Sequence, residues 1–298
     1  MHLPDYGLNY KLNEKDAQAK FSIIIPTWNN LAYLKLCISS IKKNSTYQHQ
    51  LIVFVNEGTD GTLEWLRNEG NIDYCHSGKN IGVCYALNAG RTLAYTSYIV
   101  FMNDDMYACP GWDKVLYDEI LHIGHKWFFL SATAIEPRKN HPCAIVKNFG
   151  TDLESFNESL LLKEFESLEM QDWQGATWPP NIVHIDVWDL IGGYSIEFSP
   201  GLYADPDFSK KLWEMGIRYF KGLSKSRVYH FGSISLNRIK HTKGYYTFVG
   251  KWSITQNIFS KLFLRRGQPF DGPLQNGELS FSNKLNIIYK KIKGAFKK

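Results

Sequence analysis

The chain has 298 residues, 44% hydrophobic and 21% charged, which is the composition of a globular protein and not of a disordered segment. A formal net charge of +5 is spread thinly, with no dense basic stripe and no nucleic-acid reading motif, so no nucleic acid polymer is expected as partner. No run approaches the ~18 apolar residues of a membrane span, and residues 1–20 lack the apolar stretch of a signal peptide, so a soluble, cytoplasmic protein is expected. The cysteines, Cys37, Cys75, Cys84, Cys109 and Cys143, are odd in number and have neither metal nor redox spacing; they read as buried thiols.

In chain order, residues 21–25 form a short apolar run ended by Pro26, the pattern of a strand buried on both faces. Residues 31–41 carry apolar side chains at helical spacing, with Asn29 or Asn30 as the expected N-cap. A second buried strand follows at 51–55, a short helix at 62–69, a helix at 82–96 and a third buried strand at 97–102. This β-α-β-α-β alternation predicts an α/β fold with a doubly wound parallel sheet, whose ligands bind at the carboxyl ends of the strands. Beyond it lie an acidic helix-like stretch at 154–169, a Trp-rich segment at 173–180, a helix at 205–215 and a strand ending at 227–230.

The chemistry-bearing residues sit at those strand ends. Asn103-Asp104-Asp105 closes the third strand with adjacent carboxylates and is followed by Pro110-Gly111-Trp112. Together with Ile24-Ile-Pro-Thr-Trp-Asn29, Val55-Asn-Glu-Gly-Thr-Asp-Gly-Thr62, Lys79-Asn-Ile-Gly82 with Asn88-Ala-Gly90, and Gly192-Gly-Tyr194 with Asp205-Pro-Asp207, this resembles family 2 of the inverting glycosyltransferases. Each block alone is weak; five in the same order over most of residues 21–235 are specific. The resemblance implies a GT-A type fold, doubly wound and mostly parallel, with helices on both sheet faces and a helical C-terminal extension. It implies a nucleotide-sugar-dependent, non-processive enzyme. Residues 1–20 would be an N-terminal extension and 21–235 the catalytic domain. Its nucleotide-binding half would be about 21–130 and its acceptor half about 131–235; 236–298 would be a basic extension.

By the same resemblance, Asp105 contacts a divalent cation, Mn or Mg, and Asp104 the donor's ribose. Pro26, Thr27, Asn29, Asn56, Glu57, Lys79 and Asn80 hold the nucleotide, Asp205 is the base, and His230 completes the metal shell. The donor is UDP- or GDP-linked and the acceptor a glycan or lipid-linked glycan, as in polysaccharide biosynthesis. The physics agrees: a diphosphate leaving group needs its charge neutralised, a hard cation takes oxygen ligands, and an acceptor hydroxyl needs a proton acceptor. Standing alone, Asp104-Asp105 would read as a solvated turn, Asp205 as a helix cap and His230 as structural; Asp207 is taken as a cap. The chain departs from the family pattern at Asn103, where Asp is common, at Ala204, where Glu is usual, and at Glu57, where Asp is usual. Trp173, Trp178 and Trp188 are either acceptor platforms or buried, burial being preferred for each.

Other functions lack their signatures. A nucleotidyltransferase needs a Gly-rich loop ending in Arg, and a dinucleotide oxidoreductase Gly-x-Gly-x-x-Gly after its first strand; neither is present. A non-catalytic sugar- or nucleotide-binding module of the same fold stays open through Asn103 and Ala204. Over 283–298, Leu285, Ile288, Ile292 and Phe296 recur at helical spacing among lysines. Such a helix either packs its stripe on the catalytic domain, the preferred reading, or makes a peripheral contact with the inner face of a membrane.

Overall fold

In the computed structural model, the described residues are 7–138, 142–232 and 244–295. They begin with β1 (Asn9–Lys11), β2 (Ser22–Trp28), α1 (Leu31–Asn44), β3 (Gln50–Asn56), α2 (Thr62–Asn68), β4 (Asp73–Ser77), α3 (Val83–Arg91) and β5 (Tyr98–Phe101). Next come β6 (Met106–Ala108), α4 (Trp112–Ile123), β7 (Phe128–Glu136), β8 (Ala144–Val146), α5 (Glu158–Glu164), β9 (Trp173–Gln174), β10 (Asn181–His184) and α6 (Ile185–Ile191). The last are α7 (Ala204–Glu214), β11 (Tyr219–His230), α8 (Gly244–Trp252), α9 (Gln256–Ile258) and α10 (Phe281–Ala295).

The strands form one sheet in the order β1-β4-β3-β2-β5-β10-β7-β11-β6, with β8 on β7 and β9 on β11. β4, β3, β2 and β5 run parallel, as the N-terminal alternation predicts. Beyond β5 the sheet is mixed: β10 is antiparallel to both β5 and β7, and β11 is parallel to β7 but antiparallel to β6. β2 and β3 are apolar on both faces because helices cover both. Ile23 and Ile25 face the cluster holding Leu34 and Ile38 of α1, while Ile24 faces the cluster of Leu87 of α3 and Phe208 of α7.

β4 has no apolar run, so no local pattern marks it as a strand. Its Asp73 is buried by long-range partners: Oδ2 accepts from Gln50 Nε2 at 2.6 Å and Oδ1 from Asn13 N at 2.8 Å. The expected cap of α1 is also replaced. Asn30 occupies the N-cap without a side-chain bond, and Leu31 N donates instead to Asp60 Oδ2 at 2.8 Å. Asn29, in the left-handed region at φ 46°, accepts from Thr59 N at 2.9 Å. The helix expected at 205–215 is α7, but Asp207 does not cap it. Its Oδ1 accepts from Trp252 Nε1 at 2.7 Å and lies 2.9 Å from Lys251 Nζ, joining α7 to α8.

Phe248, Ile254, Ile258, Phe259, Leu264, Leu274 and Ile287 enter the same apolar cluster as Ile24 and Phe54 of the sheet. All five cysteines are buried, and burial pushes Cys84, Cys109 and Cys143 up to about 12, the state of inert core thiols. α10 packs on α8, but through Ile287. Leu285, Ile288 and Ile292, whose burial was the preferred expectation, are 51–54% exposed. Phe296 and residues 233–243, among them the expected end of the catalytic domain at 235, lie outside the described residues.

Candidate functional site

A cavity of about 740 Å³ opens at the carboxyl ends of β2, β3, β5 and β7. Of the residues singled out in the sequence, Pro26, Thr27, Asn56, Asn80, Asp104, Asp105, Asp205 and His230 line it together. Asn29, Glu57 and Lys79 are not among its lining residues. Glu57 turns back at the rim, its Oε2 accepting from Trp28 Nε1 at 2.9 Å and Asn29 Nδ2 at 3.2 Å. Lys79 is exposed.

Each lining group is fixed by its neighbours. Thr27 Oγ1 donates to Asp104 Oδ2 at 2.6 Å, tying the end of β2 to the turn after β5. Asn56 Oδ1 accepts from Ile81 N at 2.9 Å and Asn80 Oδ1 from Gly82 N at 2.9 Å, so these two amides shape the turn entering α3. Gly82 has φ 81°, and a Cβ there would stand 2.7 Å from Pro200 Cα. Only glycine therefore lets the turn entering α3 meet the 199–203 loop. At that loop's end Tyr203 is left-handed, φ 71°, as Asn29 and Glu57 are, with φ 46° and 62°. Three bulky or polar residues held there cost about 1 kcal/mol or more each, the kind of strain that gathers at binding sites.

Asp105 and His230 face each other at the end of β5 and of β11: Asp105 Oδ1 is 3.4 Å from His230 Nε2. The other ring nitrogen, Nδ1, is 2.8 Å from Oε1 of Glu136, a buried carboxylate at the end of β7. Burial works to push the His230 pKa down, but the Asp105 and Glu136 carboxylates win and take it up to about 10. Among the described residues Nε2 has no hydrogen-bond partner. Two ligands of one octahedral Mg or Mn stand about 3 Å apart, so Asp105 and His230 fit a shared cation that displaces the proton from Nε2 and whose remaining positions fall to phosphates and water. No group of three or more His, Cys, Asp or Glu side chains is gathered for a metal among the described residues. Glu136 would orient the histidine, the usual role of a carboxylate behind a ligating imidazole. The rule that found Asp104, an acid at a strand's carboxyl end, applies equally to Glu136. Glu136 stays hidden in the sequence because the 128–136 segment does not show a strand pattern by itself.

Asp205, in the first turn of α7, lines the same cavity. Burial pushes its carboxyl up to about 7, against the lowering effect of the Tyr194 hydroxyl, which donates to Oδ1 at 3.2 Å. Tyr194 is in turn clamped by Asn88 of α3: its N donates to Asn88 Oδ1 at 2.8 Å and Asn88 Nδ2 donates to its carbonyl at 2.8 Å. The blocks around Asn88, Tyr194 and Asp205, 117 positions apart at their extremes in sequence, are thus one hydrogen-bonded chain in space. Trp173, Trp178 and Tyr203 add aromatic walls. Trp173 is buried with Nε1 donating to Thr133 Oγ1 at 2.9 Å, and Trp178 is half-buried beside Arg266. Trp188 is buried in the core against Tyr194 and Phe208, away from the cavity lining.

Residues 22–143 match the sequence profile of the family described as Glycosyl transferase family 2. A "PGL/p-HBAD biosynthesis glycosyltransferase" of Mycobacterium tuberculosis is 33% identical over 93 residues, 30% of this chain and 36% of that protein. "Glycosyltransferase GlyA" of Streptococcus pneumoniae is 29% identical over 106 residues, 34% of this chain and 15% of that protein. The matched segment thus spans about a third of the first of these relatives and less of the second. Among solved structures, S. aureus TarS 1-349 in complex with UDP superposes with a TM-score of 0.57 at 15% identity, covering 94% of this chain and 72% of that one. GalNAc-T7 with UDP, GalNAc and Mn2+ gives a TM-score of 0.54 at 13% identity, over 72% of this chain and 44% of that one. The fold is the GT-A type expected from the sequence.

Proposed function

We propose that the protein is a nucleotide-sugar-dependent glycosyltransferase that moves one sugar to an acceptor hydroxyl by an inverting single displacement assisted by Mn or Mg. The observation that carries this reading is one cavity lined both by the Asp105–His230 pair and by a carboxyl poised near neutrality, Asp205. The complexes of TarS with UDP and with UDP-GlcNAc support a uridine nucleotide over a guanosine one as donor. The acceptor is a glycan or lipid-linked glycan. The donor half is residues 21–130 and the acceptor half 131–235, with the helices from 244 onward completing the core behind them.

When bound, the cation supplies the positive charge that stabilises the departing diphosphate. Asp104, fixed by the Thr27 hydroxyl, presents its carboxylate to the donor's ribose. Pro26, Asn56 and Asn80 form the pocket floor for the nucleotide, while Asn29, Glu57 and Lys79 act from the rim. Asp205 in its carboxylate form takes the acceptor's proton as the new bond forms; a pKa near 7 makes it a stronger base than an ordinary carboxylate while leaving about half of it ionised at neutral pH. Trp173, Trp178 and Tyr203 wall the reacting centre from water.

A binding module without catalysis is the second reading, favoured by Ala204 standing where the family has Glu. Nucleotide release with acceptor present separates the two. The enzyme reading expects Asp205→Asn to lose about 10²-fold or more in turnover while still binding the nucleotide. It also expects chelator to abolish activity and Mn to restore it. Full turnover in chelator overturns the metal-assisted scheme, and retained anomeric configuration in the product overturns single displacement.

A further inference from the structure

α10 carries two apolar faces, and the fold uses only one. Ile287, 6% exposed, and Gly294, against the Tyr246 ring, face α8. At 100° per residue, Phe281, Leu285, Ile288, Tyr289 and Ile292 fall in an arc of about 100° on the opposite side. Their exposures are 76%, 51%, 54%, 58% and 54%. Lys284 and Lys291 border this arc on one side and Lys293 on the other, all three exposed. The sequence from Phe281 onward holds six lysines and no acidic residue.

We propose that this face of α10 docks the protein on an anionic lipid surface, the helix lying in the plane of the bilayer. The apolar stripe enters the boundary between headgroups and acyl chains while the flanking lysines meet the anionic headgroups. Phe281 and Tyr289 suit that boundary, because an aromatic ring buries its body there and a tyrosine keeps its hydroxyl wet. A second copy of this chain fits less well, since stripe-to-stripe pairing would bring the same lysines against one another. Membrane insertion is a different matter: no helix among the described residues is long and apolar enough to cross. α10 rests on α8, which holds Asp207 through Trp252 and Lys251, so docking orients the mouth of α7 relative to the lipid.

Flotation of the full chain with vesicles of equal parts phosphatidylcholine and phosphatidylglycerol tests this, alongside vesicles of phosphatidylcholine alone. The expected result is binding to the anionic vesicles at low salt, at least about tenfold weaker for the triple variant Leu285→Ser, Ile288→Ser, Ile292→Ser. The charge variant Lys284→Ser, Lys291→Ser, Lys293→Ser is expected to lose binding as well, and salt to release the parent chain. Because all six side chains are exposed, a thermal melt should show both variants folded. Equal flotation of parent and apolar variant overturns the proposal, as does absence of flotation by the parent. Lipid-free sedimentation covers the other occupant: a dimer in the parent that the apolar variant abolishes would assign the face to a second copy and overturn lipid docking.

Discussion

Asp205 is where environment most changes what a residue can do. Its neighbour Tyr194 is the group that keeps the carboxyl from rising further. Tyr194→Phe should therefore move the acid limb of kcat/KM, expected near pH 7, to higher pH; an unmoved limb would mean another group controls it. The same burial has a price in stability. The folded carboxyl titrates near 7 and the unfolded one near 4, so the folded state binds more protons between these values and stability falls as pH rises through that window. Asp205→Asn is expected to melt higher than the parent above pH 7, with the gap closing below pH about 4. Glu136→Ala, one shell further from the reaction, should weaken Mn binding by about 10–100-fold in calorimetry, while Glu136→Gln, which keeps an oxygen acceptor, restores part of it. Asp104, Asp105 and Asp205 were legible as residues because each stands at the end or start of an element next to a recognisable block. Glu136 was not, since its signal depends on first knowing that β7 is a strand.

Elements were read well where burial is apolar and poorly where polar groups are buried by distant partners. β2, β3 and β5 announce themselves as Ile/Val/Phe runs. β4 does not: Asp73 is buried because Gln50 and Asn13 satisfy it, and the Ser77 carbonyl accepts from Glu57 N at 2.9 Å in the turn after β3, pairings absent from any local window. In β11 only the last four residues were visible, since Lys221, Ser224 and Ser226 interrupt it. Lys221 is balanced by Glu119 at 2.9 Å and Asp172 at 3.1 Å, and Ser224 by Asp172. Helix ends follow the same logic. Asp113, in the first turn of α4, is buried and accepts from Thr46 N at 2.9 Å, Tyr47 N at 2.8 Å and His49 Nε2 at 3.0 Å. Burial pushes its carboxyl up, but His49 and the two backbone donors bring it below the usual range. Its stabilising effect is thus complete above about pH 4 and fades as pH falls through the lowered value. Asp113→Ala, which orphans those donors, should cost about 3 kcal/mol in urea unfolding at pH 7. A cost indistinguishable from zero would show that water replaces the carboxylate.

At the scale of the whole molecule, the site is assembled from both flanks of the sheet, and the C-terminal helices belong to the same body. Seven side chains from residue 248 onward, Phe248, Ile254, Ile258, Phe259, Leu264, Leu274 and Ile287, are buried in the central cluster. At about 2 kcal/mol each their burial is worth as much as the entire net stability of an ordinary domain. A chain ending at residue 243 should accordingly fail to give a cooperative melt; a sharp transition from that fragment would show that the sheet closes its core without α8 and α9. The sequence points to packing of the last helix alone, and there to Leu285, Ile288 and Ile292 where the buried residue is Ile287; the rest is hidden because the apolar residues are spaced for packing against a surface that only the tertiary fold creates.

Gly222 and Trp173 bring the matter of how such a cavity can change over generations. A Cβ on residue 222 would fall 1.8 Å from the Trp173 indole, the same indole that walls the cavity. The two positions are therefore locked in order. A lineage exploring a different acceptor can shrink Trp173 first, leaving a hole that a larger side chain at 222 can later fill; beginning at 222 drives a side chain into the indole and passes through a destabilised protein. Descendants with a widened pocket should carry glycine or a small residue at 173 before any side chain appears at 222, so the path to a new specificity runs one way.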